Sequence, residues 1–96
     1  MGELHKAYSR EELKAHILYK LARRRIWGGK HLPVIYLRSG FPKECLGQVD
    51  ELTKELINEG FLIQAPKTGQ LHVSLNPRMK REIIELIEKY FGKVYW

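Results

Sequence analysis

The chain has a single cysteine, Cys45. One thiol cannot close an internal disulfide, and with no base signalled nearby it reads as a small buried hydrophobe, not a nucleophile. The four histidines are scattered, and no two stand at a zinc spacing. No apolar run approaches the roughly 20 residues that a membrane span needs. The opening residues MGELHKAYSR lack the apolar stretch of a secretory leader, so a reducing cytoplasm is the expected compartment. Gly28, Gly29 and Lys30 are followed by His31, not by serine or threonine, and no long strand precedes them, which excludes a nucleotide-binding glycine loop. Glu11–Glu12 and Asp50–Glu51 are neighbours that diverge on a helix, so neither forms a working carboxylate pair. These absences exclude the common enzyme classes. No catalytic residue, no metal ligand and no cofactor is expected.

What is present fits one domain over residues 1–96, with a core at 9–91 and tails at 1–8 and 92–96. The net charge is +6, unevenly spread. Residues 1–43 hold ten basic and three acidic side chains. Residues 44–65 reverse this, with Lys54 alone against Glu44, Asp50, Glu51, Glu55 and Glu59. Residues 66–96 return to six basic against three acidic.

Hydrophobic spacing orders the elements. Ser9 and Glu12 form a capping-box pattern, and a first helix is predicted over about residues 10–25, with Leu13, Ile17, Leu18, Leu21 and Ala22 inward. Its last turn carries Lys20, Arg23, Arg24 and Arg25. Ile26 and Trp27 are predicted as a short strand. A short second helix is expected between His31 and Ser39, starting near Pro33, with Val34, Ile35 and Leu37 as its apolar contacts. A turn follows at Ser39, Gly40, Phe41 and Pro42, with Phe41 filling the space between the second and third helices. The third helix is predicted at 47–59, with Val49, Leu52, Thr53, Leu56 and Ile57 on one face and Gly60 as its stop. Phe61, Leu62 and Ile63 open a hairpin with its tip at 66–69, and Leu71, Val73 and Leu75 alternate on the return. Asn76 caps a final helix at 77–91, with Pro77 in its first turn and Gly92 at its end.

The segment KELINEGFLIQAPKTGQLHVSLNP, residues 54–77, resembles the third helix and wing of many archaeal and bacterial winged helix-turn-helix regulators. The elements GGKH, GFPK and VSLNP are similar to those of small archaeal winged-helix proteins. The resemblance covers about residues 9–91. It implies an α+β winged helix-turn-helix fold: a three-helix core, a two- to three-stranded wing sheet and an extra C-terminal helix. The implied role is binding of duplex DNA, as a transcription regulator or chromosomal accessory protein, with the third helix in the major groove and wing and loops on phosphates. The candidate contacts are Arg23, Arg24, Arg25, Lys30, His31, Arg38, Lys43, Gln48, Lys54 and Lys67. A homodimer through residues 77–96 is expected of this family.

The sequence departs from the family where base edges would be read. The matching positions are Gly47, Gln48, Asp50, Glu51 and Lys54, and two acids there oppose the approach of phosphate. The alternative is a protein-interaction winged helix within a nucleic-acid-processing complex, using the acidic third helix and the C-terminal helix. A further alternative is single-strand or RNA binding, with Trp27, Tyr36 and His31 as stacking surfaces.

Overall fold

Serine at position 9 starts the first helix as its spacing requires. Its hydroxyl accepts a 3.0 Å hydrogen bond from the Glu12 amide, and helix α1 runs Arg10–Arg23. The computed structural model describes residues 8–67 and 69–93, without the side chains of Pro66 and Lys67. The expected Lys67 contact and the chain end at 94–96 therefore lie outside the described residues.

The protein is α+β. Strand β1 is Leu32–Pro33, helix α2 is Leu46–Asn58, β2 is Leu62–Lys67, β3 is Gln70–Leu75 and α3 is Lys80–Phe91. The strands form one antiparallel sheet in the order β1-β3-β2. Helix α1 packs against both α2 and α3. Leu13, Ile17, Leu18, Leu21 and Ala22 of α1 are buried, as are Val49, Leu52 and Leu56 of α2 and Ile83 and Ile87 of α3. Val73 and Leu75 of β3 close the core from the sheet side. Thr53 is buried among them, and its hydroxyl donates to the Val49 carbonyl at 2.8 Å, so no polar group is stranded there.

Several local expectations are corrected. The first helix ends at Arg23, two residues early, because the Arg25 and Ile26 amides turn back to the carbonyls of Ala22 and Leu21. Ile26 and Trp27 do not form a strand. They make a single parallel bridge to Leu75, and the strand itself is Leu32–Pro33, in register with Val73 and His72. The short second helix is a 3-10 turn, Val34–Arg38, and Pro33 lies in β1. Leu37 is buried there, whereas Ile35 is 63 % exposed. A second 3-10 turn, Lys43–Cys45, precedes α2. Phe41 meets His16 of α1 at 6.1 Å between ring centroids, so it braces the turn against α1. Pro66 and Lys67 belong to β2, in register with Leu71 and Gln70, so the expected tip at 66–69 begins later.

The end of α2 and the start of α3 are tied together. Gly60 adopts φ 87°, a left-handed conformation that a side chain would strain. Its carbonyl accepts from Asn76 Nδ2 at 2.8 Å, while Asn76 Oδ1 accepts from the Arg78 amide at 3.0 Å. One asparagine thus caps the 3-10 turn Pro77–Met79 that leads into α3, so the last α-helix starts three residues later than expected, and the same side chain holds the exit of α2.

Candidate nucleic-acid interface

The last turn of α1 has its apolar stripe turned inward, so Arg23 and Arg24 are exposed and Lys20 lies half-buried along the surface. Positions 20, 23 and 24 share one helix face by their spacing. Lys20 and Arg24 converge on Tyr36, in the 3-10 turn Val34–Arg38, and Arg23 lines the same hollow. The Lys20 ammonium lies 5.0 Å from the centre of the Tyr36 ring, and the Arg24 guanidinium 4.8 Å from it. Arg23 stands 5.6 Å from the Tyr19 ring. Such cation–aromatic contacts are worth about 0.5–1 kcal/mol at exposed sites, enough to orient a flexible side chain without neutralising it.

Lys20 also links α1 to the turn before α2. Its Nζ donates to the Ser39 carbonyl at 2.7 Å, and the Ser39 hydroxyl donates to the Tyr36 carbonyl at 2.9 Å. Lys43 follows this turn at the start of the second 3-10 turn and is exposed. The result is a cationic cluster of Lys20, Arg23 and Arg24 at the end of α1, beside Tyr36. Among the described residues, Arg23 and Arg24 have no ion-pair partner. Arg25, also exposed, adopts φ 57° and is the one non-glycine with positive φ among the described residues. It occupies the position after a helix where glycine is usual.

Asp50 and Glu55 of α2, and Glu59 just past its end, are engaged within the domain, whereas Glu51 is exposed. Glu55 pairs with Arg10 and, at 2.7 Å, with Lys14; Glu59 pairs with Lys14 at 3.0 Å. Lys14 is only 15 % exposed. Its burial works to lower its pKa, but the hydrogen bonds to Glu55 and Glu59 outweigh that and raise it. The hydrogen bond from Lys14 in turn holds the Glu55 carboxyl below its ordinary range, against the opposing effect of desolvation. Asp50 lies 3.2 Å from Arg38 Nε, an ion pair without the alignment of a hydrogen bond. Away from α2, Glu11 accepts from Lys89 at 2.7 Å and from the Tyr90 hydroxyl at 2.6 Å, which lowers its pKa.

The residues expected to contact a polyanion therefore divide. Arg23 and Arg24 come together, with Arg25 adjoining and Lys43 beyond the Ser39 turn. Arg38 is matched to Asp50 and sits in a different groove, of about 360 Å3, with Val34, Ile35, Ile57, Leu71 and Lys54. Gln48 is half-buried on α2, whereas Glu51 and Lys54 are exposed. His31, just before β1, is held on the sheet: its Nδ1 lies 2.8 Å from Nδ1 of His72 in β3, so one ring donates and the other accepts. Lys30 is exposed in the loop before β1. Lys20 and Ser39 were not foreseen as site residues. The 20, 23, 24 spacing carried that signal for Lys20, and nothing local carried it for Ser39.

Among the described residues, no three His, Cys, Asp or Glu side chains could hold a metal ion, and no helix is long and apolar enough to cross a membrane. No protein family, curated protein or solved structure matches this chain.

Proposed function

We propose that the chain is a winged helix-turn-helix protein that binds nucleic acid, duplex DNA in the first place, as a transcription regulator or chromosomal accessory protein. The element order α1, β1, 3-10 turns, α2, β2, β3, α3 and the sheet order β1-β3-β2 support the fold assignment. One observation carries the binding role. Lys20 and Arg24 lie over Tyr36 with Arg23 lining the same hollow, while Asp50, Glu55 and Glu59 are paired within the domain. The objection that an acidic helix repels phosphate is thereby weakened, although Glu51 remains exposed.

The mechanism is a backbone grip. Cations displace condensed counterions from the duplex, and the guanidinium groups fit phosphate oxygens in pairs. The outward face of α2 offers Gln48, Glu51 and Lys54, so base discrimination is weak. A mobility-shift titration tests this. With three phosphate contacts the slope of log K against log salt is about −2.7, and affinity falls about 40-fold between 50 and 200 mM salt. No shifted duplex at 50 mM salt would overturn the proposal.

Arg25 supplies a second test. An arginine in the left-handed region costs roughly 1 kcal/mol. Arg25→Gly is expected to leave the fold as stable or up to about 1 kcal/mol more stable, yet to weaken duplex binding by several-fold. Thermal melting and the same titration read the two effects. Unchanged affinity would remove Arg25 from the interface.

A second reading, a protein-interaction domain, is favoured by the exposed Ile35 beside half-buried Val34, Ile57 and Leu71. That groove lies apart from the Tyr36 cluster, so an Ile35→Glu variant should lose a protein partner while keeping duplex affinity.

A further inference from the structure

Strand β1 stops early. It pairs with β3 only at Val73 and His72, and after Pro33 the chain enters the 3-10 turn Val34–Arg38 instead of continuing beside Leu71. That turn, α2 and β3 leave a groove of about 360 Å3 between them. Its walls are aliphatic: Val34 and Ile35 from the turn, Ile57 from α2 and Leu71 from β3, with no aromatic ring in the described lining. Thr53 also lines it, but its hydroxyl is spent on the Val49 carbonyl. Ile35 is 63 % exposed, so an open apolar face is present in the folded chain. One edge of the groove is charged. Asp50 holds Arg38 by Nε at 3.2 Å, while the Arg38 side chain stays 42 % exposed. Lys54, one turn along α2 from Asp50, is exposed and has no ion-pair partner among the described residues. Two cations against one carboxylate leave a surplus of one positive charge at this edge.

We propose that this groove binds a small amphipathic anion, an aliphatic chain or saturated ring that carries one carboxylate. The inference goes beyond both readings above and depends on neither. The volume lies at the lower end of the range for small-molecule sites, about 300–1,000 Å3. A protein partner would need a wider face, because a stable protein interface takes roughly 20–30 residues a side and eight described residues line this groove. Covering Ile35 and its neighbours removes apolar surface from water, which draws in any oily guest. The surplus charge then selects among such guests. A carboxylate is attracted to Lys54, an alcohol gains nothing there and an amine is repelled. Aliphatic walls offer a planar base no ring to stack on, so a nucleotide is a poor guest.

The experiment titrates three probes of equal chain length, octanoate, octanol and octylamine, into the isotope-labelled protein and reads backbone amide shifts by NMR. Octanoate should move the amides of Val34, Ile35, Arg38, Lys54, Ile57 and Leu71, with a dissociation constant on the order of 1 mM. It should bind about 5-fold tighter than octanol, the upper end for one exposed ion pair, and octylamine should bind weakest. Added salt should narrow the gap between octanoate and octanol. Lys54→Gln should bring octanoate down to the affinity of octanol and leave octanol unchanged. The three-probe comparison needs no protein variant, so it stands whatever Lys54→Gln does to the fold. Octanoate no tighter than octanol, or shifts that fall outside the groove, overturns the inference and leaves a plain apolar face to the protein-interaction reading. Silence with all three probes overturns it as well. The nucleic-acid reading is tested by the duplex titration and is untouched by either result.

Discussion

Arg23→Glu combined with Arg24→Glu is expected to weaken duplex binding roughly 60-fold at 0.1 M salt, if each arginine releases about 0.9 counterion. Reversal adds repulsion to that loss, so the figure is a lower bound. The slope of log K against log salt should fall by about two in the same titration. The fold should survive. Both side chains are exposed, and among the described residues neither holds an ion pair; the main loss is the stacking of Arg24 on Tyr36. That contact is worth about 0.5–1 kcal/mol at an exposed site. Lys80→Glu with Arg81→Glu is the matched control. It makes the same change in net charge at the start of α3, where both residues are also exposed. Equal losses in the two variants would mean that binding follows total charge and not the Tyr36 cluster. An unchanged Arg23, Arg24 variant would refute the interface outright.

Leu52→Ala is expected to destabilise the protein by about 3 kcal/mol, within the range for emptying a fully enclosed leucine site. Leu52 is completely buried at the middle of the inward face of α2. The methyl groups removed there face the core cluster built by α1, α3 and the sheet, and a rigid interior closes such a void only in part. For a domain of this size the melting temperature should drop by about 15 °C. Total stability for such a domain is about 5–15 kcal/mol, so the variant stays folded at room temperature but with little margin. Lys54→Ala, two residues along and exposed, should change stability by less than about 0.5 kcal/mol. Denaturant melts of the two variants check both values. A Leu52 variant as stable as the parent would show that α2 is not docked as described.

Much of the local structure could be read in advance, and for one kind of reason. Ser9, Gly60 and the Asn76-Pro77 pair act within a few residues of themselves, through a cap or a dihedral preference, and all three stand where expected. The apolar stripes of α1 and α2 also matched, because a period of 3.6 defines a face whatever it packs against. Pairings between distant segments were not legible. Strand β1 exists because β3, forty residues later, supplies its partner; Leu32 and Pro33 alone give no strand signal. Ile35 looked like core by type, but a 3-10 turn has a different period from an α-helix and leaves it outside.

The charges divide along the same line. Composition and order alone determined that the two ends of the chain are basic, that the third helix is acidic and that apolar faces exist to assemble an α+β domain. Only the crossing of α1 over α2 decided which charges cancel, by placing Arg10 and Lys14 against Glu55 and Glu59 across 45 residues of chain. Among the described residues, the folded chain also leaves Lys20 and Arg24 over Tyr36, with Arg23 beside them and no carboxylate paired to either arginine. Periodicity and caps are properties of neighbours along the chain, whereas charge pairing depends on distance in space, which exists only once the helices have packed.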